Sequence, residues 1–555
     1  MRHIYPLPSR SLPLSIAITL LLASTSTHAQ TQDMPSQIDT LFRWATPATP
    51  GCVIAVSQNG QVILNRAYGS ADLERTVPLT PDAIFDMGSL RKQFIAAAVL
   101  LLVEEGRLSL NDDLHKYFPE LPTYDHTITL DHLLTHTSGV RDWTGLQPLT
   151  GGQADILTLI LRQRNLNFIP GNEWAYSNSG YVLLKELVER ASSLPFSEFA
   201  RQRLFDPLGM TNTAYHEDLR DVIENRALAY AKDSNSWKQD MLLGDDRGGG
   251  ALFSTARDLL IWNDALTAAR LGPFVTAKLQ EPARLNNGRT LSYARGLIIE
   301  PYRKGKVIWH SGAAAGYHSW LGRLPNDKLS IAVLCNSDAV GASTIARRIA
   351  EVFLPAVNPD STQTSAPTTT VPTGDLNGKA GLFLDERTGE PLRLLSDNGR
   401  LSIPGGPPLV PVSSDHFRNP RGDLFFRSQD EFELHFLSQN QLELISMEGQ
   451  KTSYRRAQPT TLTAADLQML AGRYENNEVG SVLRLVSADG SLILRLEFNP
   501  DTGISLLPVA RDLYQAGGMT VRFQRDSAGK VVGFSYSNPT VRNLQFTRSD
   551  RPEGQ

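Results

Sequence analysis

The sequence predicts a protein in two parts: a mixed α/β (α+β) domain of strands and helices, then two antiparallel all-β, barrel-like repeats. Three observations carry this. Residues 34–357 mix strand-like apolar runs with long helical patterns, whereas 376–549 read almost entirely as short alternating strands broken by Gly, Asn, Asp and Pro. Between them, "NPDSTQTSAPTTTVPTG" at 358–374 is too rich in Ser, Thr and Pro to bury a core and reads as an extended linker. The C-terminal part also repeats itself: "LNGKAGLF" from Leu376 matches "LQMLAGRY" from Leu467, and "NGRLSI" matches "DGSLIL", both at a separation of 91 positions. "LVPVSSDHF" then matches "LLPVARDLY", so one β unit is written twice, at 375–456 and 462–549. Neither copy carries a cluster of Ser, His, Asp or Cys suited to chemistry of its own, and a scaffold, lid or recognition role is expected.

In chain order, the first 29 residues place Arg2, His3 and Arg10 before the apolar run Leu12 to Ala23 and the small-residue exit ending at Ala29. This is the pattern of a secretory signal, 1–29, cleaved near Ala29; the run is shorter than the roughly 20 residues a spanning helix needs. A periplasmic or secreted mature protein with no membrane span is expected. The formal net charge of -4 argues against a nucleic-acid partner. The only two cysteines, Cys52 and Cys335, both sit in strand-like apolar runs. They read either as two buried small side chains or, in an oxidising compartment, as one bridge.

The helical pattern in "FDMGSLRKQFIAAAVLLLVEEGRL", 85–108, is apolar on most faces, yet it opens with Ser89 and carries Lys92 one turn later. A lysine in such a helix loses solvation unless it has a partner or a purpose, and burial lowers its pKa until a neutral amine can take a hydroxyl proton. Ser89 and Lys92 share a helix face at spacing i, i+3. In "WAYSNSGYVLLKELVE", Tyr176, Ser177 and Asn178 form a polar loop just before a helix. A phenol beside an amine can relay a proton, and an asparagine amide can steady the lysine and bind a carbonyl. "KVIWHSGAAAGYHSWLGRLPNDKLSIAVLCNSD" reads as three strands, with His310, Ser311 and Gly312 at the end of the first and small residues that admit a ligand or a neighbouring backbone.

Ser89-Leu90-Arg91-Lys92, Tyr176-Ser177-Asn178 and His310-Ser311-Gly312, in this order, resemble the serine β-lactamase and penicillin-binding-protein family, with support from "LLTHTSGV" at 133–140 and "GGGALFSTARDLLIW" at 248–262. The resemblance implies a β-lactamase-like transpeptidase fold, with a central antiparallel sheet and helices, over 34–357. The tyrosine and the third-motif histidine point to the branch with class C β-lactamases, D-Ala-D-Ala carboxypeptidases and D-aminopeptidases. By position it implies Ser89 as nucleophile, Lys92 and Tyr176 as the general base pair, and Asn178 as orienting and substrate-binding. The oxyanion hole would use the N–H groups of Ser89 and Ala313, with His310 on the opposite wall; Asn178, His310, Gly312 and Ala313 are the substrate-binding set. A Lys-Thr-Gly is usual at the third motif of β-lactamases, and a mostly neutral histidine there replaces a permanent charge. The two β repeats are similar to the β domains of D-aminopeptidases.

The expectation is an exported serine hydrolase acting through an acyl-enzyme on small D-amino-acid peptides or amides, or on small esters. A class C-type β-lactamase and a non-catalytic binder of cell-wall peptides are the alternatives. No cofactor and no metal are expected: His132 and His136 have metal-pair spacing but no glutamate between them and no third ligand. Arg295 is either a surface residue or the carboxylate anchor that His310 is not. Nothing in the residues bears on oligomeric state.

Overall fold

The structure, a computed structural model, describes residues 34–354 and 375–549, apart from 153, 243–249, 340, 405–407, 420–431, 447–449, 458–462 and 489. The expected signal at 1–29 and linker at 358–374 lie outside the described residues, as do the first two positions of the 248–262 stretch.

Strands β1 (Cys52–Gln58) and β6 (Leu329–Cys335) are buried along nearly their whole length, which is why both read as unbroken apolar runs. They lie side by side in the interior of a six-stranded antiparallel sheet in the order β3-β4-β5-β6-β1-β2, with β2 (Gln61–Tyr68), β3 (Ile298–Tyr302), β4 (Gly305–Ala314) and β5 (Tyr317–Leu324). Side chains alternate between two cores, as the pleat demands. Val53 and Ala55 face the cluster that includes Leu100 and Leu259, while Ile54 and Val56 face the one that includes Ile345 and Ile349. The register sets Cys52 directly opposite Cys335, and the two form a disulfide, the second of the two readings left open by the sequence.

Helix α1 (Arg91–Glu104) has no polar stripe because it is buried on almost every side, Lys92 included. A tight turn leads into it. Gly88 has φ of +52°, and a Cβ there would meet the backbone of Ala313 at 2.7 Å, so the turn that carries Ser89 packs backbone to backbone on β4. Asp142 caps the short helix α2 (Trp143–Leu146), accepting from Thr144 N–H at 2.9 Å. Ser177 caps α3 (Asn178–Ser192), accepting from Gly180 N–H at 3.2 Å.

The internal repeat is visible in the backbone. Each copy opens with a short helix, Leu376–Lys379 or Ala464–Leu470, and continues as an eight-stranded meander whose first and last strands pair. Gly399 and Gly490 occupy the left-handed region at the same turn, φ +69° and +72°, which is why glycine recurs there. The second copy, β15 (Gly472–Asn476) to β22 (Val541–Ser549), closes into a barrel. The first, β7 (Gly381–Asp385) to β14 (Lys451–Arg456), has its third strand β9 (Arg400–Ser402) and its fourth β10 (Val410–Pro411) at the two ends of the sheet; among the described residues they form no ladder with each other, and a lone bridge stands beside them, where Leu409 N–H donates to the Leu401 carbonyl at 2.7 Å.

Both copies dock on the N-terminal α/β domain. Leu146, Leu149 and Leu159 of that domain belong to the hydrophobic core of the barrel. Arg141 donates to Glu478 at 2.9 Å, and Asn538 donates to the Gly145 carbonyl at 2.9 Å. Glu173, three residues before Tyr176, accepts from Arg387 and Gln450 of the first repeat and from Arg542 of the second.

Candidate active site

The turn Gly88–Leu90 presents Ser89 at the foot of α1, and one helical step on, Lys92 places Nζ 3.1 Å from Ser89 Oγ. The same amine donates to Asn178 Oδ1 at 2.8 Å and lies 4.5 Å from the centre of the Tyr176 ring. Lys92 is 1% exposed. Burial holds its pKa well below the usual lysine value, the charge of Arg91 adds to that, and the Asp142 carboxylate opposes it. Tyr176 moves the other way: burial raises its phenol, against a hydrogen bond with Ser89 and the charge of Arg91. The two shifts run in opposite directions, the amine towards its neutral form and the phenol towards its protonated one.

The opposite wall is β4. A Cβ on Gly312 would lie 2.0 Å from the Met87 carbonyl oxygen, so the small residue anticipated there makes room for a neighbouring backbone. Ala313 is exposed beside it. His310 belongs to a hydrogen-bond chain whose direction its ends decide. Ser177 N–H donates to His136 Nδ1 at 3.1 Å, which leaves the proton on Nε2 for the Tyr293 hydroxyl at 3.0 Å. At the other end, His310 Nδ1–H donates to the Ser311 carbonyl at 2.6 Å, so His310 Nε2 accepts from Tyr293 at 3.2 Å. Both imidazoles are neutral. Burial, with the charge of Lys92 adding to it, brings His310 down to about 4.

These groups face a cavity of about 430 Å³ lined by Ser89, Trp174, Tyr176, Tyr293, His310 and Ala313, among others. Its described lining contains no lysine or arginine. The buried indole N–H of Trp174 has no partner among the described residues.

The structure thus brings together all seven residues singled out from the sequence: Ser89, Lys92, Tyr176, Asn178, His310, Gly312 and Ala313. It turns Arg295 away. That guanidinium is 5% exposed, donates to Asp131 at 2.7 Å and to the Lys278 carbonyl at 2.7 Å, and is not a carboxylate anchor. His132 and His136 part company: His132 completes a capping box with Thr129, while His136 enters the site. Tyr293, His136, Asp142 and Trp174 escaped sequence reasoning. Tyr293 sits two residues before the arginine that drew attention, and His136 was weighed only as a metal ligand.

A family model described as Beta-lactamase matches residues 41–353. The chain belongs to the β-lactamase family. Like the family it is a serine hydrolase that works through an acyl-enzyme. It is 24% identical over 528 residues to a D-aminopeptidase of Brucella anthropi, covering 90% of this chain and 95% of that one. It is 29% identical over 315 residues to penicillin-binding protein 4* of Bacillus subtilis, covering 52% and 68%. Among solved structures, an octameric penicillin-binding protein homologue from Pyrococcus abyssi aligns with a TM-score of 0.52 at 22% identity, over 77% of this chain and 100% of that chain. The expected β-lactamase-like fold followed by all-β repeats holds.

Proposed function

We propose that Ser89 attacks the carbonyl of a small D-amino-acid amide or peptide, or of a small ester, and that Lys92 takes its proton. The observation that carries this reading is the desolvated Lys92 amine 3.1 Å from Ser89 Oγ and 2.8 Å from Asn178 Oδ1. Tyr176, still protonated, donates to the leaving group and takes up in turn the proton that Lys92 removed from Ser89, which returns Lys92 to the neutral amine. The backbone N–H groups of Ser89 and Ala313 meet the developing oxyanion, each contributing about 3 kcal/mol to the transition state. Water then hydrolyses the acyl-Ser89 ester with Lys92 again as base.

Two observations support an amine-bearing or uncharged substrate over a β-lactam or a C-terminal carboxylate. The third-motif histidine is neutral and both its ring nitrogens are engaged. The described lining also lacks a lysine or arginine to meet a carboxylate. The D-aminopeptidase relative, similar across the catalytic domain and both repeats, supports the same substrate class. Export, proposed from the N-terminal pattern, is supported by the Cys52–Cys335 bridge, since disulfides persist in oxidising compartments.

The test is the intact mass of the mature protein during incubation with slowly hydrolysed acylating esters, with Ser89→Ala in parallel. An acyl-sized increase confined to wild type establishes the nucleophile. A panel of D- and L-amino-acid amides, C-terminal D-Ala peptides and β-lactams then ranks substrates. No adduct with any acyl group overturns the enzyme reading and favours a cell-wall-peptide binder.

A further inference from the structure

We propose that the first β repeat holds a transition-metal site, suited to Zn²⁺, formed by His416, Glu433 and His435. Strands β11 (His416–Arg418) and β12 (Phe432–Ser438) pair antiparallel with His416 directly opposite His435. Phe417 and Leu434 point into the core of the repeat, and the pleat sends His416, Glu433 and His435 to its outer face. His416 Nε2 lies 3.1 Å from Glu433 Oε2, and His435 Nε2 lies 3.3 Å from the same oxygen. One ligand atom from each of the three falls within 4.8 Å of the others. All three side chains are half-buried, with exposures of 23%, 40% and 35%.

The two His–Glu separations, which are also hydrogen-bond lengths, suit ligands that share one ion. Ligands bound to tetrahedral Zn²⁺ at about 2.0–2.1 Å stand roughly 3.4 Å apart, close to both His–Glu separations. Two imidazoles and one carboxylate form a set that suits Zn²⁺, Cu²⁺ or Ni²⁺ rather than Ca²⁺ or Mg²⁺, which take oxygen. The two neutral histidines and one carboxylate leave a net positive charge when the ion binds. Glu443, opposite His435 on β13 (Gln441–Ser446), adds a carboxylate to the same face, although Lys451 engages it at 3.0 Å.

The trio is not a feature of the repeated unit. The match between the copies sets His416 against Leu513, and the strand pair His416–His435 corresponds to Leu513–Arg522. The copy with the ligands is also the copy whose β9 and β10 form no ladder among the described residues. An ion tying β11 to β12 would stiffen the meander beside that seam.

The test uses the full mature chain without a histidine tag, stripped with chelator, and titrated with Zn²⁺ by calorimetry with metal content checked by mass spectrometry. The expected result is one Zn²⁺ per chain and a raised melting temperature. His435→Ala should weaken binding at least about tenfold, with ester hydrolysis unchanged. Glu433→Gln, which keeps size and hydrogen bonding, should weaken it as well and guards against a folding defect. No saturable Zn²⁺, Cu²⁺ or Ni²⁺ binding by wild type, or binding unaltered in both variants, overturns the site.

Discussion

The catalytic domain and the β repeats treat charge in opposite ways. Around Ser89, titratable groups are taken out of water without a full counter-charge: Lys92 is 1% exposed and His310 3%. In the repeats, charge stays at the rim and pairs, as where Arg473 and Arg484 both reach Glu497 at side-chain exposures between 22% and 33%. Burial without pairing costs stability and displaces protonation, which is tolerable where the displaced state is used. Rim pairs displace little and hold orientation.

Lys92→Met tests that contrast with the largest effect. Losing the base should lower kcat/KM by about 10²–10⁴-fold. The thermal midpoint should hold or rise, because an apolar side chain of similar length removes the desolvation cost of the amine. Steady-state kinetics beside thermal unfolding decide the matter. A variant that melts far below wild type would make Lys92 a structural residue and end the contrast.

One pair breaks the rule from the side of the repeats. Arg141 and Glu478 meet at 2.9 Å with side-chain exposures of 1% and 10%, and Arg141 also donates to the carbonyls of Arg542 and Asn543. Here the barrel reaches into the catalytic domain. Glu478→Ala leaves a buried guanidinium without its counter-charge and should destabilise the docked barrel by about 3–5 kcal/mol. Urea unfolding of the full chain measures this. Replacing both partners together, Arg141→Met with Glu478→Leu, should cost far less.

Acid should expose the buried histidine next. Free histidine titrates near 6.5 and His310 near 4, so between those values the unfolded chain holds a proton that the folded chain excludes. Stability therefore rises with pH across this window and is lost as pH falls from 6.5 towards 4, by on the order of 3 kcal/mol. His136, also driven well below its usual value by burial, pulls in the same direction. The melting temperature of His310→Gln should fall less steeply with acid than that of wild type. Parallel slopes would mean that His310 takes up its proton as readily in the folded chain as in the unfolded one.

The parts of this molecule legible in the sequence are those whose chemistry is local. Ser89 and Lys92 stand one helical turn apart, so a single helix fixes their geometry, and the misfit of a lysine in an apolar run announces it. Tyr176 and Asn178 adjoin a helix start and are read the same way. Tyr293 and His136 are 157 positions apart and meet only through the tertiary fold. Neither leaves a local anomaly, since a tyrosine before an arginine and a histidine in a Thr-rich turn are ordinary. The disulfide stayed open for the same reason: residues 283 positions apart become neighbours only when β1 finds β6. In the repeats, periodicity gave the meander and its duplication. Closure of the second copy and not the first depends on two short strands, β9 and β10, with too few residues to show a period.

The smallest effect belongs to the rim. Glu497 receives Arg473 and Arg484, and its carboxyl is held below the usual range chiefly by the hydrogen bond from Arg473. Glu497→Gln should cost less than about 1 kcal/mol, because both arginines can turn to water and salt screens what remains. The cost should shrink as ionic strength rises, which denaturation at low and high salt resolves. Because the folded carboxyl titrates lower than the unfolded one, this contribution is present at neutral pH and fades as acid protonates Glu497. A larger, salt-independent cost would mean that the three side chains act as a unit shielded from solvent. The barrel would then resemble the catalytic domain in how it holds charge, and its distinction would rest on the absence of a nucleophile alone.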